Sequence, residues 1–171
     1  MDKQSEPVRL ARESLTYYLE HGQLMDKPAE LPENLQGKAG VFVSFKKEGQ
    51  LRGCIGTFEP TQPSIAEEII QNAVSAGTGD PRFGPIKLNE LAELETSVDV
   101  LETPEQIDSI DDLEPKTYGV IVRNGHRSGL LLPDLEGVDT VTEQVSIAMQ
   151  KAGIQAGKEI DLYRFTVTRY K

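Results

Sequence analysis

Leu51-Arg52-Gly53-Cys54-Ile55-Gly56-Thr57-Phe58 is the stretch on which the fold turns. It follows Val41-Phe42-Val43-Ser44-Phe45 across the polar segment Lys46-Lys47-Glu48-Gly49-Gln50. Two β-rich runs joined by a short glycine-containing turn predict an antiparallel hairpin. Alternation along the second strand sets Arg52, Cys54 and Gly56 on one face and Leu51, Gly53, Ile55 and Thr57 on the other. Side chains two residues apart lie roughly 6.5–7 Å apart along a strand. On that spacing the Arg52 guanidinium reaches the Cys54 sulfur and favours the nucleophilic thiolate. Gly53 and Gly56, lacking a Cβ, let a ligand or another backbone come close. The same residues also read as architecture. A cysteine next to Ile55 and close to Phe58 can pack as a small hydrophobe, with the glycines serving a bulge or twist.

Upstream, a helix begins near Ser5, with Pro7 in its first turn and Gly22 as its stop; Val8, Ala11, Leu15, Tyr18 and Leu19 share one face. Residues 23–40, carrying Pro28, Pro32, Gly37 and Gly40, form a long connection that reads as either mobile or functional, a cover over a cleft being one option. Downstream, Ser64-Ile65-Ala66-Glu67 is a capping box. Its helix turns Ile65, Ile69, Ala73 and Ala76 inward and stops at Gly77. Residues 96–101 read as a strand and 102–117 as an acidic connection. Asn124-Gly125 then joins two more runs in a hairpin, placing Arg123 opposite His126 and Val122 opposite Arg127. A second capping box, Thr140-Val141-Thr142-Glu143, opens a helix that buries Val141, Val145, Ala148 and Ala152 before Gly153. Leu162 to Tyr170 reads as a single half-buried strand. No internal repeat is visible. Hairpins mixed with three helices, without regular βαβ alternation, predict an α+β fold with a mainly antiparallel sheet and flanking helices.

Other residues offer chemistry. In Asp80-Pro81-Arg82-Phe83, the Asp and Arg suit a clamp on an anionic group or an incoming chain; the plainer reading is a turn-forming Asp and a surface ion pair. Arg123, His126 and Arg127 set cations at a hairpin tip, where His126 and Arg127 are ligand-binding candidates. Asp108, Asp111, Asp112 and Glu114 lack the spacing and central glycine of a calcium loop. With one cysteine and two histidines, His21 and His126, this chain alone cannot hold an iron–sulfur cluster, and a zinc site built from the usual thiolate and imidazole ligands is not expected. No metal and no cofactor is expected.

Composition narrows the class. The chain has 171 residues, 37% of them hydrophobic, enough for a core. Eighteen Lys and Arg against 28 Asp and Glu give a net charge of -10, which disfavours nucleic acid as a partner. No apolar run is long enough to span a membrane, and Met1-Asp2-Lys3-Gln4-Ser5-Glu6 lacks the apolar stretch of a secretory leader. A lone cysteine fits a reducing compartment. The expectation is a cytoplasmic domain.

Leu51-Arg52-Gly53-Cys54-Ile55-Gly56-Thr57 resembles the signature of the AMMECR-type domain family. Gly40-Val41-Phe42-Val43-Ser44, Asp80-Pro81-Arg82-Phe83, Ser97-Val98-Asp99-Val100-Leu101, Gly129-Leu130-Leu131-Leu132-Pro133 and Lys151-Ala152-Gly153-Ile154 match the same family. The resemblance covers nearly the whole chain, so residues 1–171 are taken as one domain of this type. It implies a two-lobed α+β fold, the larger lobe holding both chain ends. It points to the bacterial and archaeal branch, protein A of the AmmeMemoRadiSam system, whose fellows are a Memo-like protein and a radical S-adenosylmethionine protein. It carries over Arg52, Gly53, Cys54, Gly56, Thr57, Asp80 and Arg82 as candidates and implies no settled activity. Two functions remain open: a site acting through Cys54 and Arg52 on a small anionic substrate or a partner, and a non-catalytic module that docks on those fellow proteins.

Overall fold

A computed structural model describes residues 4–171; the leader reading at Met1–Lys3 falls outside them. The chain divides into two compact units. The larger runs to Val100 and takes back Thr168–Lys171, so it holds both described ends; the smaller is Leu101–Val167. The fold is α+β, with two four-stranded antiparallel sheets.

In the larger unit, helix α1 (Glu6–His21) ends on Gly22 at φ 74° and buries Val8, Ala11 and Leu15. Strands β1 (Val41–Lys47) and β2 (Gln50–Gly56) form the expected hairpin. Its turn is only Glu48-Gly49, both at positive φ, tighter than the five-residue polar segment suggests. Helix α2 (Ile65–Thr78) starts where Ser64 accepts the Glu67 amide and lays Ile65, Ile69, Ala73 and Ala76 into the core. Strand β3 (Leu94–Leu101) pairs with β1, and β8 (Val167–Tyr170) completes the order β2-β1-β3-β8. Val41, Val43, Phe45 and Val98, all fully buried, face the helices. Each such side chain contributes about 1.5–3 kcal/mol of transfer free energy. The 23–40 connection is tied down on α2. Leu35 is buried, and Gly37 accepts the Ile65 amide.

In the smaller unit the 102–117 connection contains a strand, β4 (Glu105–Ile107), too short and polar to show alternation. Strands β5 (Gly119–Asn124) and β6 (Arg127–Leu131) form the second hairpin, α3 (Val141–Ala152) follows, and β7 (Asp161–Phe165) gives the order β4-β7-β5-β6. The hairpin register is one residue off the Asn-Gly expectation. Asn124 pairs with Arg127 and Arg123 with Ser128, so the turn is Gly125-His126 and only Gly125 takes positive φ. Asn124 is committed elsewhere, donating from Nδ2 to the Glu159 carbonyl. The terminal segment is not one strand. It breaks at Thr166, and its two halves, β7 and β8, belong to different sheets.

The two units repeat one motif: a hairpin, a capped helix, then a strand antiparallel to the hairpin's first strand. Residues 53–77 lie on residues 129–153 without a gap, matching Gly53 to Gly129, Ser64 to Thr140, Glu67 to Glu143 and Gly77 to Gly153. In each unit the strand glycine admits a helix carbonyl. A Cβ on Gly53 would stand 2.1 Å from the Ala76 oxygen, and one on Gly129 would stand 2.1 Å from the Ala148 oxygen. The repeat escapes a reading of the sequence because so few of the matched positions are identical.

Candidate functional site

Register decides which side chains meet. Across the larger sheet, Cys54 pairs with Ser44 and Ser44 with Ser97. The Ser44 hydroxyl donates to the Cys54 sulfur at 3.1 Å. All three residues are half-buried. Strand β2 is an edge strand, so the outward amide and carbonyl of Cys54 need partners from outside the sheet. The loop after α2 supplies them. Asp80 Oδ2 accepts the Cys54 amide at 3.0 Å, and Arg82 Nη2 donates to the Cys54 carbonyl at 3.3 Å.

Asp80 and Arg82 are also bound to each other. Arg82 Nε and Nη2 reach the two Asp80 oxygens at 3.1 and 2.8 Å, and the Arg82 amide reaches Oδ1 at 3.0 Å. The Asp80 side chain is 2% exposed, so this is no surface ion pair. The Arg82 guanidinium, with help from the Cys54 and Arg82 amides, lowers the Asp80 pKa to about 2. Arg82 is raised in turn, chiefly by its hydrogen bond to Asp80 and then by the Asp80 charge. Half of the Arg82 side chain remains exposed. Its Nη1 makes no hydrogen bond among the described residues.

Arg52 does not join the sulfur. Leu51 pairs with Lys46 and Gly53 with Phe45, which leaves Arg52 as the extra residue of a bulge. The alternation that would set Arg52 beside Cys54 therefore breaks at Arg52 itself. Its guanidinium takes both Glu90 oxygens at 3.0 and 3.2 Å and the carbonyls of Gly84 and Pro85 at 2.8 and 3.1 Å. These bonds, with the Lys87 amide, lower the Glu90 pKa to about 2. Arg52 clamps the 84–90 loop. The glycines are likewise committed to packing. Gly53 admits the helix, and a Cβ on Gly56 would stand 2.3 Å from the Phe42 ring. Thr57 is tied to the frame, because Asn72 Nδ2 reaches its hydroxyl at 3.2 Å and the Val41 carbonyl at 2.9 Å.

His126 and Arg127 lie in the smaller unit. His126 is exposed in the turn, and Arg127 donates to the Gly153 carbonyl at the end of α3. Arg123 lies over the Tyr163 ring at 5.0 Å. The expected cationic tip is thereby divided among three different surroundings. Among the described residues no group of three or more His, Cys, Asp and Glu could hold a metal ion. No helix there is long and apolar enough to cross a membrane.

Ser44 and Ser97 are the site residues that a reading of the sequence misses. A hairpin with an unfixed turn has an unfixed register, so nothing in the sequence aligns them with Cys54. The internal repeat shows what the scaffold itself demands there. The counterparts of Cys54, Ser44 and Ser97 by register are Leu130, Ile121 and Tyr163. The same positions are therefore filled by two aliphatic side chains and a tyrosine in the smaller unit and by a thiol and two serines in the larger. Because the residue is not fully buried, Cys54→Ala is expected to cost no more than about 1 kcal/mol in urea unfolding.

Residues 8–170 match the AMMECR1 family. The chain belongs to that family. A Clostridium acetobutylicum AMMECR1 relative is 51% identical over 96% of this chain, yet this chain spans only 35% of that longer protein. A Thermotoga maritima relative is 48% identical, with 96% of each chain covered. The crystal structure of PH0010 from Pyrococcus horikoshii is similar at a TM-score of 0.88 and 34% identity, covering 95% of this chain and 88% of that one. The AMMECR1 fold of this chain, two units with antiparallel sheets, is thus shared with a solved relative.

Proposed function

We propose that this chain is a thiol-site component of the AmmeMemoRadiSam system, its protein A, in which Cys54 acts on a small substrate bearing an anionic group. The observation that carries the reading is the grip on one residue. Cys54 is held at its amide by Asp80, at its carbonyl by Arg82 and at its sulfur by Ser44. Such a grip fixes a reacting atom in position, and a site needs that fixing more than a core does. A hydroxyl donating to sulfur and a nearby guanidinium both interact better with thiolate than with thiol. Arg82, half-exposed and with no hydrogen bond on Nη1 among the described residues, is the cation available to meet the substrate's negative charge, in place of Arg52.

The test is alkylation of the native protein followed by intact mass. A single adduct should form on Cys54 with the fold unchanged, and faster than on glutathione at the same pH. Modification only after urea is added would leave the cysteine a packing residue.

The competing reading is a non-catalytic module docking on the Memo-like or radical S-adenosylmethionine protein. One finding favours it: in the Clostridium relative a domain like this one accounts for only 35% of the length. Direct titration of each purified fellow protein against wild type and Cys54→Ala separates the two. Measurable affinity lost in Cys54→Ala places docking on the thiol face, equal affinity for both chains places it elsewhere, and no binding of either fellow protein counts against the docking reading.

A further inference from the structure

The repeated motif shows what its helix expects on its outer side. In the larger unit α1 covers α2. Ser14 Oγ donates to the Ile70 carbonyl at 2.8 Å, and the Leu15 side chain fills the space above Gly77. Ile70, Ala73 and Val74 are buried as a result. Their counterparts on α3 are Ser146, Met149 and Gln150, and no described helix of the smaller unit covers them. They line an open groove of about 490 Å³ with Val145, Ile154 and Ile110. This corrects the expected burial. Val141, Val145 and Ala152 are only half-buried; Ala148 is buried as expected, and Gln144 is sealed beside it.

The groove is apolar along its floor, and its edge at Ile110 is followed and preceded along the chain by carboxylates that do not themselves line it. Ile110 is 48% exposed, and Asp108, Asp111 and Asp112 beside it are exposed and form no salt bridge among the described residues. The replacement of Ile70 and Val74 by Ser146 and Gln150 suits an interface that opens to water, since transient interfaces are more polar than cores. A helix in a groove is a recurrent recognition mode, read by apolar anchors at i, i+3, i+4 and i+7.

We infer that the α3 groove is the docking seat for a basic amphipathic helix of a partner protein, occupying on α3 the place that α1 occupies on α2. The inference is independent of Cys54 and stands whether or not the thiol is reactive. Its apolar stripe lies on Val145 and Met149, and its cations face Asp108, Asp111 and Asp112.

The probe is a synthetic amphipathic peptide of roughly 18 leucines and lysines, long enough to be helical, and a twin with glutamate in place of lysine. Each is titrated into the isotope-labelled full chain and followed by amide chemical shifts. The lysine peptide should move the amides of Ile110, Val145, Ser146 and Met149, and the glutamate twin should bind at least tenfold more weakly. Met149→Asp should abolish the shifts. Ser146→Glu, at an exposed position that leaves folding intact, should weaken binding of an apolar stripe severalfold. Asp111→Asn with Asp112→Asn should bring the twins to similar affinity. Equal binding of both twins to wild type, shifts confined to other surfaces, or groove shifts that grow with protein concentration alone would overturn the proposal. The last would mean that a second copy fills the seat.

Discussion

Gly53→Ala will destabilise the larger unit by about 3 kcal/mol or more, and a substantial fraction of the protein will be unfolded or insoluble on expression. The added Cβ would stand 2.1 Å from the Ala76 carbonyl oxygen, a backbone atom of α2 that cannot swing aside. Relief requires α2 to move off the sheet, opening the packing of Ile69, Ala73 and Ala76, all buried; overpacking of this kind costs about 1–3 kcal/mol and more where backbone is the obstacle. Urea unfolding checks it, with Gly37→Ala as the control, since nothing lies within 4 Å of a Cβ there. Equal midpoints for the two variants would contradict the close helix–strand contact. The same substitution at Gly129 should act similarly on the smaller unit, because the distance to the Ala148 oxygen is also 2.1 Å.

Asp80→Ala is the second large effect. The carboxylate accepts the Cys54 amide, the Arg82 amide and two guanidinium N–H groups. Removing it leaves the half-buried Cys54 amide and the Arg82 guanidinium without their shared acceptor, at a cost of about 3 kcal/mol. The melting temperature should fall by roughly 6–10 °C for a chain of this size. Native-state exchange at the Cys54 amide should rise sharply in step. Acid should have a related effect. The Asp80 pKa in the folded protein is about 2, below its ordinary 3.8, so the carboxylate stabilises the fold above pH 4 and loses that contribution as pH falls toward 2. The shift is worth about 2 kcal/mol. Glu90, lowered from 4.5 to about 2 by Arg52, titrates over much the same window. Both ends of the 80–90 loop should therefore loosen together between pH 4.5 and 2. An acid midpoint unchanged in Asp80→Asn would contradict this.

Much of the architecture is legible from local chemistry. Ser64 and Thr140 cap helices and Gly22 and Gly153 end them, because these rules act within a few residues. What is lost is whatever depends on long-range register. The bulge at Arg52 is invisible in the alternation of its own strand, and with it goes the expected pairing of guanidinium and sulfur. The Asn124-Gly125 signal puts the turn one residue early, because the Asn124 side chain is drawn to Glu159. Leu162 to Tyr170 alternates smoothly enough to look like one strand, although the chain switches sheets at Thr166. The site is legible in part. Cys54, Asp80 and Arg82 stand out as residue types, and the structure joins them. Ser44 appears only once strands are paired.

The central claim is that Cys54 is a presented thiol with Arg82 as its anion partner. Its most direct test is the ratio of alkylation rates with negatively charged iodoacetate and neutral iodoacetamide, each normalised to glutathione. A ratio above that of glutathione by about threefold, corresponding to an exposed charge pair of about 0.7 kcal/mol, falling to one in Arg82→Gln, is the predicted result. A ratio equal to that of glutathione in the wild type, or unchanged by Arg82→Gln, would contradict it.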